Sequence, residues 1–119
     1  MRILLADPQL RIRKTMRLIL PRISGIEIVG EITSDADLVP GVRSTKPNLI
    51  LLDVDLSGAQ LEMRIAQIRC EMPRVIIVGL SGKHESGCGG RIDGLDEFIS
   101  KSEPADKVLM ILKKYTQRS

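Results

Sequence analysis

Pro47-Asn48-Leu49-Ile50-Leu51-Leu52-Asp53-Val54-Asp55-Leu56-Ser57-Gly58 is the stretch that decides the fold. From Asn48 to Leu52 it is almost unbroken apolar sequence, too short for a helix and bounded by Pro47 and Gly58. Such a run suits a strand buried on both faces in a parallel sheet. Asp53 then stands where the strand surfaces. In open α/β sheets the groups that do chemistry lie just beyond the carboxyl ends of strands, so a carboxylate there is placed to act. A turn-forming Asp that satisfies nearby backbone donors is an equally good reading of this stretch alone, and the flanking sequence has to decide.

Upstream, Arg2 to Ala6 is a short aliphatic run that ends in Asp7-Pro8, a strand followed by a breaker. From Gln9 to Leu20, Ile12, Met16 and Ile19 recur at helical spacing with Leu20 beside them. Arg11, Arg13, Lys14 and Arg17 fall on the outer side of this helix, where a solvated cationic face is expected. Like charges such as Arg13 and Arg17 at i,i+4 cost about 0.2 to 0.5 kcal/mol. Pro21 stops the helix, and Ile26 to Ile32 reads as a second strand. Ser34 is a plausible N-cap for a second helix reaching Lys46, but Pro40-Gly41 falls in its middle. An interior proline costs about 3 kcal/mol, so that helix should be short, late-starting or kinked.

Downstream, Leu61, Ile65, Ile68 and Met72 mark the clearest helix, ended by Pro73. Val75 to Val78 is a fourth buried run, closed by Gly79. Ser81 to Gly90 should be the next helix, yet it is glycine-rich with little to bury, which predicts fraying. His84 within it reads as a solvated loop residue. Phe98 to Ser100 is a fifth brief strand closed by Lys101. Ser102 to Tyr115 reads as a final helix, with Glu103 and Asp106 in the first turn and Lys113 and Lys114 at the end, complementing the helix dipole. Strands alternating with helical segments predict an α/β fold, a parallel sheet covered on both faces by right-handed crossovers.

The totals agree. A chain of 119 residues with 43% hydrophobic content suits one domain, residues 1–119, with 116–119 resembling the start of a linker. Phe98 and Tyr115 are the only aromatics, which argues against base-stacking platforms for single-stranded nucleic acid. Cys70 and Cys88 form no CxxC pair, so neither a zinc site nor a disulfide framework is expected, and both read as incidental. The amino-terminal apolar run is too short for a signal peptide or membrane span, so a soluble, cytoplasmic protein is expected. A net charge of +3 is too small to imply nucleic-acid binding.

Three strand ends supply polar groups: Asp7 after the first, Asp53 with Asp55 after the third, and Lys101 after the fifth. In a doubly wound sheet these ends are neighbours. Two carboxylates sharing a hard cation make a Mg²⁺ site, and two negative charges about 4 Å apart repel by about 4 kcal/mol at an effective dielectric near 20. A divalent ion or Lys101 relieves that repulsion, and a carboxylate so placed can attack phosphorus while the cations neutralise charge on the phosphoryl oxygens.

With these residues in place the chain resembles, over essentially its whole length, the receiver (CheY-like) domains of two-component response regulators. Ile3-Leu4-Leu5-Ala6-Asp7-Pro8-Gln9, Ile26-Glu27-Ile28-Val29-Gly30-Glu31, Lys46-Pro47-Asn48 leading into Leu51-Leu52-Asp53-Val54-Asp55, and Phe98-Ile99-Ser100-Lys101 look like the NarL/LuxR-type subfamily. The resemblance implies a flavodoxin-like three-layer sandwich with strand order 2-1-3-4-5. It also implies that Asp53 is the phosphoacceptor, Asp7 part of the acidic pocket, the backbone carbonyl of Asp55 a metal ligand, and Lys101 the partner of the phosphoryl group. Phe98 matches the aromatic whose rotamer reports activation. The implied partners are a histidine kinase or phosphotransfer protein, a second copy through the face of the fourth helix, fifth strand and fifth helix, and DNA only through an output domain outside this chain.

The chain departs from the family at informative places. Pro8 stands where a second acid usually follows the first strand, which weakens attraction for Mg²⁺ or abolishes it, unless the Asp55 side chain compensates. Gly79 stands where a Ser or Thr usually holds the phosphoryl oxygen, with Ser81 a weak substitute on the same strand face. The loop after Asp53 is about two residues shorter than is common, and Ser57 replaces its usual proline. With Gly79 opposite, Phe98 is expected to be core rather than a switch. The resulting expectation is a non-enzymatic, atypical receiver, weakly or not phosphorylated at Asp53 and acting as a regulatory interaction module. The alternative is a working phosphoacceptor controlling a DNA-binding transcription output. A flavin- or nucleotide-binding enzyme is a remote third, since no GxGxxG follows the first strand.

Overall fold

Period-two alternation along the strands builds two cores, one on each face of a single sheet. A computed structural model describes residues 1–82 and 92–116. The strands are β1 (Arg2–Ala6), β2 (Glu27–Ile32), β3 (Leu49–Asp53), β4 (Ile76–Ser81) and β5 (Glu97–Ser100). The α-helices among the described residues are α1 (Leu10–Ile19), α2 (Leu38–Thr45), α3 (Leu61–Glu71) and α4 (Ala105–Thr116). The described strands form one five-stranded sheet in the order β2-β1-β3-β4-β5, every neighbouring pair parallel. This is the predicted doubly wound topology. From residue 83 onward, the helix expected up to Gly90, with His84 and Cys88, lies outside the described residues, as do residues 117–119 of the expected linker.

Ile3 and Leu5 of β1, Leu49 and Leu51 of β3, Val78 and Leu80 of β4 and Ile99 of β5 face α1 and α4, meeting Ile12, Met16, Val108 and Leu112. Leu4, Ala6, Ile50, Leu52 and Ile77 face the other way, against Leu38 and Val42 of α2 and Leu61, Ile65 and Ile68 of α3. Every residue of β3 is buried, as an unbroken apolar run in a central parallel strand requires. At about 25 cal/mol per Å² of apolar surface, these aliphatic layers are the main stabilising term, with almost no aromatic contribution.

Several expectations are refined by local chemistry. The second helix starts late, at Leu38, after a 3-10 turn over Asp35–Asp37. Pro40 therefore sits in the first turn of α2, where its missing N–H would have had no intrahelical partner anyway. Ser34 makes no side-chain cap bond to the backbone; its hydroxyl lies 3.1 Å from Asp37 Oδ2. Gly79 does not close the fourth strand, which runs on to Ser81, with Gly79 paired in register with Phe98. The last helix begins at Ala105 rather than Ser102. Pro104 disfavours helical geometry at Glu103, leaving that acid ahead of the helix, 3.4 Å from Lys107. The outer face of α1 is not wholly solvated. Arg13 and Arg17 converge on Glu31 of β2, at 2.8 and 3.2 Å, which offsets the like-charge repulsion predicted between them.

Candidate functional site

Register alone brings the acids together. Ala6 pairs with Leu52, so the next residues along the two strands, Asp7 and Asp53, come level at the carboxyl edge of the sheet. Asp53 pairs with Leu80, and Leu80 with Ile99, two residues before Lys101. Asp7 and Asp53 are both buried. The Lys101 ammonium lies 2.7 Å from Asp7 Oδ2 and 3.5 Å from Asp53 Oδ1, and the three side chains are 8%, 3% and 6% exposed. The predicted convergence of Asp7, Asp53 and Lys101 is what the structure contains.

Each group is held by short-range contacts. The Gln9 main-chain N–H donates to Asp7 Oδ1 at 2.8 Å, and Lys101 Nζ donates to the Gln9 side-chain oxygen at 2.6 Å. Arg13 donates to the Asp7 carbonyl at 2.8 Å while pairing with Glu31, which ties the β1–α1 turn to β2. Lys101 N–H donates to the Ser81 carbonyl at 2.7 Å, so the lysine continues the β4–β5 ladder. Asp7 Oδ2 is buried and accepts no hydrogen bond from the described residues, while the Lys101 ammonium lies 2.7 Å away as an ionic partner. Burial pushes the Asp53 carboxyl above its ordinary value; Lys101 pulls it down, and the negative charge of Asp7 pushes it up. Loss of water around an anion is thus the largest influence on the proposed nucleophile.

Asp55 is exposed, and its carbonyl accepts the Gly58 N–H at 3.3 Å. Among the described residues no group of three or more His, Cys, Asp or Glu side chains is arranged to hold a metal ion. Phe98 is 49% exposed. It is therefore not core; a Cβ on Gly79 would lie 2.7 Å from Leu95 Cδ1 and 3.4 Å from Phe98 Cδ1, so both side chains border the space beside Gly79. Ser81, the proposed substitute hydroxyl, is buried as the last residue of β4.

A second cluster escaped sequence reasoning. Ser57, the residue in place of the usual proline, donates its hydroxyl to Asp35 Oδ1 at 2.5 Å. Arg64 of α3 grips the same carboxylate through two bonds of 2.9 and 2.7 Å. The β3–α3 loop is thereby fastened to the turn before α2. Hydrogen bonds from Arg64, the larger influence, and from Ser57 hold the Asp35 carboxyl below its usual range. Nothing in the spacing of residues 35, 57 and 64 signals this contact.

No protein-family model matches the chain. Among curated proteins it is 26% identical over 120 residues to the sensory transduction protein LytT of Bacillus anthracis, covering 99% of this chain and 48% of that protein. It is 27% identical over 90 residues to the DNA-binding transcriptional activator EvgA of Escherichia coli, covering 74% of this chain and 44% of that protein. The chain thus spans about half the length of the curated relatives it matches. Among solved structures, a two-component response regulator of the LuxR family from Aurantimonas superposes with a TM-score of 0.83 at 20% identity, covering 96% of this chain and 83% of that one. Among the described residues no helix is long and apolar enough to cross a membrane.

Proposed function

We propose that this chain, by its fold and its curated relatives a receiver domain of the response-regulator kind, works as a regulatory interaction module in two-component signalling whose Asp53 accepts a phosphoryl group slowly or not at all. The observation that carries the reading is the buried trio of Asp7, Asp53 and Lys101, with the ammonium seated 2.7 Å from one acid and 3.5 Å from the other. A carboxylate beside a lysine at a sheet's carboxyl edge is equipped to receive phosphorus. In that step Asp53 forms an O–P bond as the P–N bond to a kinase histidine breaks, the nitrogen keeping the electron pair. Lys101 neutralises charge on the transferred oxygens. A histidine kinase or phosphotransfer protein is the donor that this chemistry implies.

Two features support the atypical form. The donor set suits Mg²⁺ in kind: the Asp7 and Asp53 carboxylates and the Asp55 carbonyl are hard oxygens, and among the described residues Asp7 Oδ2 is buried without a hydrogen bond. A bound Mg²⁺ would supply charge neutralisation for the phosphoryl oxygens. Lys101 already pairs with both carboxylates, though, and Pro8 brings no third acid, so occupancy is weak. At the switch position, the surroundings of a Gly79 side chain would be hydrocarbon from Leu95, Val54 and Phe98. The exposed apolar side chains Phe98 on β5 and Met110 on α4 are available to a second copy. A DNA-binding output domain, as the name of the EvgA relative suggests, would lie outside this chain.

Incubation with acetyl phosphate and Mg²⁺, followed by intact mass, tests the reading. Slow, partial addition that Asp53→Asn abolishes is expected, with small amide shifts near Phe98 on adding beryllofluoride. Rapid stoichiometric addition with large shifts at Phe98 would replace it with the working-receiver alternative.

A further inference from the structure

We propose that Leu95 is an aliphatic wedge that fills the switch position beside Gly79 and fixes the β4–β5 edge whatever the state of Asp53. The inference rests on the atypical-receiver reading and extends it to a specific residue. A Cβ built on Gly79 would fall 2.7 Å from Leu95 Cδ1 and 3.1 Å from Val54 Cγ1, so a terminal methyl of Leu95 lies in the space a Ser or Thr would use and has to move before one fits. Leu95 packs on the same core as Leu52, Ile65 and Ile77.

The leucine is presented by a latched segment. Just before it, Gly94 has φ +97°, and a Cβ there would lie 2.5 Å from Ile65 Cγ2, so only glycine lets the chain pass flush against α3. Just after it, Asp96 donates its N–H to the Ile77 carbonyl at 2.8 Å and accepts the Ile77 N–H on its carboxylate, also at 2.8 Å. Arg69 of α3 bridges both sides of the wedge, donating to the Gly94 carbonyl at 2.6 Å and to Asp96 Oδ2 at 2.9 Å. Its other nitrogen holds the Val75 carbonyl at 2.7 Å, the residue before β4. Strand, turn and helix therefore agree on where Leu95 stands. A methyl group offers a phosphoryl oxygen no hydrogen bond, so the group has nothing to pull.

The test compares the parent, Leu95→Ala, Gly79→Thr and the double variant. Thermal unfolding reads the packing: Gly79→Thr should lower the midpoint, and adding Leu95→Ala should recover most of that loss. Amide spectra with beryllofluoride and Mg²⁺ read the coupling, with binding followed at Asp53 and response at Phe98. Phe98 should shift several-fold more in the double variant than in the parent or in Leu95→Ala. A midpoint unaffected by Gly79→Thr, or a loss that Leu95→Ala does not relieve, overturns the wedge. Recovered packing with beryllofluoride bound but Phe98 still silent overturns its decoupling role. If beryllofluoride binds none of the proteins, the unfolding cycle decides alone. A strong Phe98 response in the parent instead defeats the atypical-receiver reading, which the unfolding cycle does not touch.

Discussion

Replacing Lys101 by methionine keeps the stem and removes the charge, leaving two buried carboxylates without their cation. At an effective dielectric near 20, unit charges separated by 2.7 and 3.5 Å attract with about 6 and about 5 kcal/mol. Much of that is consumed in taking the ammonium out of water, and removing one partner of a buried pair typically costs about 3 to 5 kcal/mol. For a domain whose total stability is of the order of 5 to 15 kcal/mol, Lys101→Met should therefore lose roughly a fifth or more of it. Urea unfolding at neutral pH, with the slope unchanged, reads this as a lower midpoint. Adding Asp53→Asn should restore part of the loss, because one of the two stranded charges disappears. A cost below about 1 kcal/mol, the range of exposed ion pairs, or no recovery on adding Asp53→Asn, would mean that the ammonium is not the resident counter-charge of this pocket.

Other consequences are local. The Asp35 carboxyl titrates below its unfolded value, about 3.9, because Arg64 and Ser57 bond it; its contribution is present above that value and lost as pH falls through the folded one. Asp35→Asn should accordingly flatten the acid limb of a stability–pH curve below roughly pH 4. Ser57→Ala should cost about 1 kcal/mol in denaturant unfolding and speed amide exchange in the β3–α3 loop. Gly94→Ala combines a left-handed backbone with a 2.5 Å approach to Ile65, so about 2 to 4 kcal/mol should be lost. Arg13→Ala should weaken the β1–α1 turn at Asp7, seen as faster exchange of the Gln9 amide that donates to the Asp7 carboxylate.

The residues that the sequence exposes most clearly are those carried by a strand's own period. Ile3, Leu5 and then Asp7, Leu49, Leu51 and then Asp53, and Ile99 followed by Lys101 each step by two, so the trio prolongs the rows of apolar residues facing α1 and α4. With the strand order that the family resemblance implies, their meeting follows. What stayed hidden depends on side chains that cross between elements. Arg13 and Arg17 reach Glu31 on another strand, Arg64 and Ser57 share Asp35, and Arg69 spans Val75, Gly94 and Asp96. No periodicity encodes such pairs, since each is set by loop geometry and the reach of a guanidinium.

Gly79 shows how the two kinds of information combine. Read as a missing hydroxyl, it implies an empty place at the switch; read with Leu95, sixteen positions along the sequence, it implies a filled one. The difference is physical. An empty place beside β4 would leave Phe98 free to turn inward and pack there, whereas a leucine already in contact keeps the ring at the surface, where it is half exposed. Loss of the hydroxyl and outward Phe98 are then two results of one packing choice, and any substitution that restores the hydroxyl without removing Leu95 should fail to bring the ring inward.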